Sequence, residues 1–595
     1  MTAPGGPALD GREPRPAPGA PGAASAVNAE EAAEDVASPL DLLLSDAALG
    51  VLRRFRPNLS LARFGLRLAR QPVTVSRRAA VLASQLAMIA AGRSELGPHP
   101  KDRRFADPAW AGNPVLRRIL QAYLVSAAAA ERLLADAALD WPDSERAGFV
   151  VRNLIDAAAP SNNPLLSPAA WKAAIDTGGL SAVRGLRALA GDLATAPRIP
   201  AMVAPDAFEV GKDLAVTPGA VVRRTDIFEL IQYQPATPRV HRFPVVVVPP
   251  MINKFYITDL APGRSMIEYL VGEGFTVFAI SWRNPDARHR DWGLDAYGEA
   301  VLDALDTARA ITGAAKASLC ALCSGGLLSA MVAAYLGDTG RAGQLASLYL
   351  GVTVLDQTPE GTTAALIDEP TAELAVAASR ARGFLDGAAL AEVFAWLRPN
   401  DLIWNYWVNN YLQGRPPPAF DILYWNADTT RMPAALHRDF IRLAMAGALA
   451  KPDCASLFSV PVNLATVGTD TYVVAGIADH LCPWQSCYRS TQLIGGDVRF
   501  VLSTSGHIAS MVNPPGNPKA RFQTAPVHAA GGRYENPADP RAWLAAAQTT
   551  AGSWWTDYAH WLAERSGGRR NRPEKVGSEG YLPLDLAPGR YVLDR

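Results

Sequence analysis

Two textures of apolar positions divide the chain. From about residue 40 to about residue 192, apolar residues recur at three- and four-residue spacing, most clearly over 79–91, 114–139 and 144–158. That spacing predicts amphipathic helices. Residues 40–52 begin the helical stretch, and Pro-Ser-Asn-Asn-Pro at 160–164 breaks it. Ser167-Pro168 reads as an N-cap with proline at the first helical position. Gly178-Gly179 and Asp192 punctuate the chain beyond it. From about Phe208 the pattern changes to short runs rich in β-branched residues: 215–224, 227–233, 245–248, 276–280, 317–322, 348–355, 471–475 and 498–502. The run 498–502 reads as the last strand. A helix-like stretch, 265–273, lies between the third and fourth runs. Strand, helix, strand at this spacing predicts βαβ units and a parallel sheet. The strongest apolar run, F-P-V-V-V-V-P-P at 243–250, is short and bounded by proline. It reads as a buried parallel strand, not a membrane span.

The strand pattern is interrupted between about residues 356 and 461. Helical runs there carry Trp396, Trp404, Tyr406, Trp407, Tyr411, Tyr424 and Trp425. An insertion of this kind predicts a cap over a site, able to exclude water and build a pocket. Plain core packing accounts for aromatics equally well. Trp554, Trp555 and Trp561 fall on a predicted C-terminal helix. The first 38 residues are rich in Pro, Ala and Gly, and predict disorder. The expected organisation is therefore a disordered segment (1–38), a helical N-terminal domain (39–205) and an α/β domain (206–595) with a cap at about 356–461.

Chemistry concentrates at 317–326, A-S-L-C-A-L-C-S-G-G, with a helix-like run directly after it. Strand, sharp turn and helix form the shape of a nucleophile elbow, with Cys323 at the tip and small residues at Ala321, Ser324 and Gly325. A buried structural Cys fits the same stretch, as does Cys320-x-x-Cys323 as a redox or zinc pair, although no second Cys pair stands at zinc-finger spacing. A nucleophilic thiol needs a base, and the base needs an orienting acid. His507 stands in S-T-S-G-H-I-A-S just after the strand 498–502, with Gly506 before it as a turning point. Asp479 comes after the strand 471–475 in G-I-A-D-H. The order Cys323, Asp479, His507 is that of α/β hydrolases, and with the predicted sheet it assigns an α/β-hydrolase fold. Asp479 as a helix N-cap, or His480 as the base, are the competing readings. His480, Cys482 and Cys487 make a weaker metal set without an apparent fourth ligand. An oxyanion hole would use the Ser324 N–H and a second N–H after the strand 245–248, from Met251 or Ile252, with Ile252 preferred. Pro249 and Pro250 have no N–H to give.

Composition adds boundaries. The 595 residues exceed what one core usually serves, and 49% hydrophobic with 19% charged residues is ample for a large core. Formal net charge is zero, which gives no field for a nucleic acid or a membrane surface. Five scattered cysteines make no disulfide framework, so a reducing, cytoplasmic setting is expected. The N-terminal M-T-A-P-G-G-P-A-L-D has no basic stretch leading into an apolar core, so no secretory signal is expected.

Longer runs carry a resemblance. They are D-P-A-W (107–110), T-G-G (177–179), V-V-V-P-P-M-I-N-K-F-Y-I-T-D-L (246–260), S-W-R-N-P-D (281–286), R-P-N-D-L-I-W-N-Y-W-V-N-N-Y-L (398–412), F-D-I-L-Y-W-N-A-D-T-T-R-M-P (420–433), D-H-L-C-P-W (479–484) and S-G-H-I-A-S-M-V-N-P-P (505–515). From about residue 105 to 565 the chain resembles the polyhydroxyalkanoate (PHA) synthases, in particular the single-chain class I type. The family's box of Gly, any residue, Cys, any residue, Gly, Gly reads here Ala321-Leu322-Cys323-Ser324-Gly325-Gly326, with Ala321 as the departure. The resemblance implies an acyltransferase that polymerises (R)-3-hydroxyacyl-CoA into polyester and releases CoA. It implies Cys323 as nucleophile with Asp479 and His507, a catalytic domain with a mobile cap, and a homodimer. It implies work in the cytoplasm at the surface of polymer granules, with granule-associated proteins as further partners. It implies no cofactor beyond the CoA of the substrate, no metal, no nucleic acid and no membrane span. A hydrolase on the same scaffold and a non-catalytic granule coat are the alternatives.

Overall fold

The computed structural model describes residues 40–55, 59–356, 369–479, 481–525 and 534–595. The segment 1–38, His480 and the start of the expected cap, 357–368, lie outside the described residues. One mixed sheet organises the molecule. Its strands are β1 (Gly219–Arg224), β2 (Phe228–Tyr233), β3 (Val245–Val248), β4 (Val277–Trp282), β5 (Ala317–Leu322), β6 (Leu345–Gly351), β7 (Thr471–Gly476), β8 (Val498–Ser503), β9 (Arg521–Thr524), β10 (Gln548–Ala551) and β11 (Asp585–Leu586). Their order is β10-β9-β8-β7-β6-β5-β3-β4-β2-β1-β11. The strands from β8 to β4 in that order run parallel, and β2, β1 and β11 on one side and β9 and β10 on the other are antiparallel. The central strands β3, β4, β5 and β7 are buried along their whole length, which explains why they read as unbroken apolar runs.

The expectation that 498–502 ends the sheet is corrected: β9, β10 and β11 come after it. The sequences R-F-Q-T, Q-T-T-A and D-L lack an apolar run because these strands lie at the two edges, where polar side chains meet water. Asp192 falls in the last turn of its helix, as the pattern predicts. It lies inside Leu180–Ala194, where its carboxylate accepts from the Ala201 N–H and the Tyr411 hydroxyl.

Helices dominate residues 40–194, including Pro72–Ala90, Pro114–Asp136 and Trp141–Ala157. Ser167 caps Pro168–Asp176, its hydroxyl accepting from the Ala170 N–H. These helices do not stand apart from the aromatic-rich segment after β6. Trp407 Nε1–H donates to the Asn162 carbonyl (3.0 Å), and Trp404, Trp407 and Tyr411 stack edge to face. Trp396 packs on Phe55. A Cβ on Gly185 would stand 1.9 Å from the Tyr411 carbonyl oxygen, so the helix Leu180–Ala194 is in backbone contact with this segment. The aromatics at 396–411 thus form a seam between helices. Trp425 is placed differently, donating to the Lys254 carbonyl (2.7 Å) in the loop after β3.

Candidate active site

The parallel strands end on one rim, and the loops after β3, β5, β7 and β8 meet there. At the end of β5 the chain turns sharply through Cys323, with φ +50° and ψ −120°, into the helix Ser324–Asp338. A non-glycine residue at positive φ is strained, and such strain concentrates at functional sites. The surroundings hold it there. Cys323 N–H donates to the Gly351 carbonyl (2.9 Å), and its own carbonyl accepts from Gly326 N–H and Leu327 N–H. Both glycines after it are sterically required. A Cβ on Gly325 would lie 2.5 Å from the Pro249 carbonyl oxygen, and one on Gly326 would lie 2.0 Å from Thr353 Oγ1. Ala321 is simply a strand residue paired with Val248 and Leu350. Its conformation makes no demand for glycine, so a methyl group there leaves the turn intact.

Asp479 lies in the turn after β7. Its Oδ1 accepts from the N–H groups of Leu481 and Cys482, each at 2.9 Å, and its Oδ2 faces His507 Nδ1 at 2.7 Å. The N-cap of the next helix, Trp484–Leu493, is Pro483, so Asp479 orients a histidine and a turn instead of capping a helix. His507 opens the short helix His507–Met511 after β8. Gly506 has an extended backbone that any residue adopts, which corrects its assignment as the turning glycine. The glycine the site needs is Gly476 at the end of β7. A Cβ there would lie 2.3 Å from the Ser505 carbonyl oxygen, and its absence lets the acid loop and the histidine loop touch.

With Nδ1 engaged by Asp479, the Nε2 face of His507 is left for sulfur. Cys323 Sγ, Cys482 Sγ and a ring nitrogen of His507 all lie within 4.8 Å of one another. Burial disfavours the imidazolium, but the Asp479 carboxylate and the Cys323 sulfur outweigh it and carry His507 up to about 10. The Cys482 thiol beside it drives Cys323 well below the usual thiol range, with burial opposing and His507 and the Ser324 N–H assisting. Both shifts favour the thiolate–imidazolium form of the pair. Cys320 is excluded from this chemistry. It is wholly buried beside Tyr558, and burial pushes its thiol up to about 12. The Cys-x-x-Cys spacing therefore makes no redox pair.

The second oxyanion donor can be narrowed. Met251 N–H is engaged by Ser324 Oγ (3.1 Å), whereas Ile252 N–H has no acceptor among the described residues. Trp282 Nε1–H donates to the Pro249 carbonyl (3.1 Å), and Lys254 Nζ donates to the Asp594 carbonyl (2.5 Å), so the loop is fixed at both ends.

Comparison with known proteins agrees with this architecture. The family described as "Poly-beta-hydroxybutyrate polymerase (PhaC) N-terminus" matches residues 101–270. The "alpha/beta hydrolase fold" family matches residues 253–514. Poly(3-hydroxyalkanoate) polymerase 1 of Ectopseudomonas oleovorans is 45% identical over 90% of this chain and 94% of its own length. The polymerase subunit PhaC of Cupriavidus necator is 38% identical over 85% of each chain. The chain belongs to the poly(3-hydroxyalkanoate) polymerase family.

In this polymerase the fold is that of the α/β hydrolases and the enzyme class is acyltransferase. No helix among the described residues is long and apolar enough to cross a membrane. One member of the site was not foreseen. In the sequence Cys482 stands out only as part of a weak metal set with His480 and Cys487, yet it lies beside Cys323 and His507. Its signal was its place three residues after the acid, within the same turn. Those three groups could grip a soft cation only by taking up the sulfur and nitrogen that face each other.

Proposed function

We propose that this polymerase joins (R)-3-hydroxyacyl-CoA units into polyester with release of CoA, the growing chain being carried as a thioester on Cys323. The observation that supports this reading is the geometry of the site: a strained Cys323 beside His507, whose Nδ1 is held 2.7 Å from Asp479. The Cys323 thiolate attacks the thioester carbonyl. The oxyanion that forms accepts hydrogen bonds from Ser324 N–H and Ile252 N–H. The C–S bond to CoA breaks, and His507 returns a proton to the leaving sulfur. Exchange of one thioester for another is nearly isoenergetic, so the acyl group stays activated, which a serine ester would not achieve. His507, now neutral and oriented by Asp479, takes the proton of a 3-hydroxyl from a bound unit or a chain end. That oxygen attacks the acyl carbonyl, an ester bond forms, and Cys323 leaves as thiolate. We place the enzyme as a homodimer at the surface of cytoplasmic polymer granules.

The test is CoA release from (R)-3-hydroxybutyryl-CoA with turbidity monitored in the same sample. CoA release with rising turbidity is expected. CoA release in a solution that stays clear, with free acid as product, would assign a hydrolase instead. No CoA release from this substrate or from a longer (R)-3-hydroxyacyl-CoA would assign a coat protein.

A further inference from the structure

Cys482 makes and breaks no bond in acyl transfer through Cys323. It is half-buried, and its sulfur is within 4.8 Å of both the Cys323 sulfur and a His507 nitrogen. Its backbone is fixed, because its N–H donates to Asp479 Oδ1 (2.9 Å) and its carbonyl accepts weakly from Cys487 Sγ (3.7 Å). The turn that orients the acid therefore also aims a thiol at the nucleophile. A thiol is a weak donor and becomes a useful one only opposite an anion. Cys323 is such an anion twice in each cycle, once before attack and once as it leaves the acyl group.

We infer that Cys482 is a second functional thiol of the site, donating its S–H to the Cys323 sulfur and stabilising that sulfur as nucleophile and as leaving group. The groups facing the pair agree with this direction of donation. The acidity of Cys482 falls far below that of an ordinary thiol because the Cys323 sulfur, burial and the Asp479 carboxylate all oppose a second negative charge, so it keeps its proton. Cys487, on the helix behind, is also held in the thiol form, chiefly by burial. Arg489 on the same helix pairs with Asp356 at 2.9 Å. His507 is the cation that faces the Cys323 sulfur, and Cys482 is its neutral donor. The value of the device rests on the polymerase reading, but its ionisation can be measured without substrate.

The experiment measures alkylation of Cys323 by iodoacetamide against pH in the full chain, read by the mass of the peptide that carries it. Cys482→Val fills the same space without a donor, and Cys482→Ser restores one. Removing a donor to a thiolate raises the pKa of that thiol. In Cys482→Val the midpoint of Cys323 reactivity is expected to rise by about one pH unit or more, with reactivity restored at alkaline pH. In Cys482→Ser it returns toward the parent value. CoA release by Cys482→Val is expected to fall most at low pH and to recover as pH rises, with KM unchanged. An unmoved midpoint in Cys482→Val would overturn the inference. So would an equal rise in Cys482→Ser, or a loss of rate at every pH with no shift. If the valine variant does not fold, Cys482→Ala reads the same midpoint. Because alkylation needs no acyl-CoA, failure here leaves the polymerase reading untouched, and failure of that reading leaves this shift intact.

Discussion

Two histidines in this polymerase face a side chain of the nucleophile type, and they behave in opposite ways. In the helices between β6 and β7, His437 Nδ1 lies 2.7 Å from Ser379 Oγ, and His437 Nε2–H donates to the Leu44 carbonyl at 3.2 Å. At the rim of the sheet, His507 lies between Asp479 and Cys323. The first histidine is wholly buried with no carboxylate beside it, and burial lowers it to about 4, so it is neutral. The second is lifted to about 10 by Asp479 and the Cys323 sulfur against the same penalty of burial. Ser379 lies on a regular helix, whereas Cys323 occupies a strained turn and is half-open. A histidine next to a hydroxyl or thiol is thus no site by itself. The acid that charges it and the backbone that exposes its partner make the difference. The buried pair joins the helix Leu40–Leu49 to Glu369–Arg382 and Ala434–Ala446, and its role is packing.

The contrast can be broken most severely at the two side chains that the histidines face. Cys323→Ala is expected to lower CoA release to background while the thermal midpoint stays near the parent value. Ser379→Ala is expected to keep full turnover per folded molecule. Next in size is Asp479→Asn, which preserves shape and removes the charge that holds His507 up. Turnover is expected to fall about a thousandfold or more. Parent activity is expected to decline on the alkaline side as pH passes about 10, and in Asp479→Asn this limb moves to lower pH.

Stability sharpens the comparison further, because the two histidines have opposite signs. The folded pKa of His437 is lowered, so its contribution is present above the ordinary value of 6.5 and is lost as pH falls toward about 4. The folded pKa of His507 is raised, so its contribution is present below 6.5 and is lost as pH rises through about 10. Urea unfolding of the parent is expected to lose up to about 3 kcal/mol through the acid window on account of His437. His437→Gln, which cannot titrate, is expected to flatten that loss. The smallest effect is Ser379→Ala, which removes one buried hydrogen bond and is expected to cost about 1 kcal/mol in the same assay.

The candidate site was legible in the sequence because its residues lie at the ends of strands. β5 runs Ala317–Leu322, as its apolar pattern predicts, and Asp479 and His507 each come after a short β-branched strand. The antiparallel edges were not legible, since R-F-Q-T and Q-T-T-A look like loops until a neighbouring strand pairs with them. The aromatic run at 396–411 was legible as something packed, but not against what, because its partners are Asn162, Asp192 and Phe55, far away in sequence. Gly476 and Cys482 escaped for a related reason. Each matters through a neighbour from another loop, Ser505 in one case and Cys323 in the other. Spacing puts Cys482 near the acid, but no spacing reveals a contact with another loop.

The measurement that bears most directly on Cys323 as chain carrier is peptide mass analysis after a rapid acid quench. The full chain would be mixed with less than one equivalent of (R)-3-hydroxybutyryl-CoA and quenched before the acyl group moves on. We expect a 3-hydroxybutyryl group, or a short oligomer of it, on the peptide containing Cys323 and on no other, with none in Cys323→Ala. Acyl mass on a different residue, or continued CoA release from an enzyme whose Cys323 stays free, would contradict it.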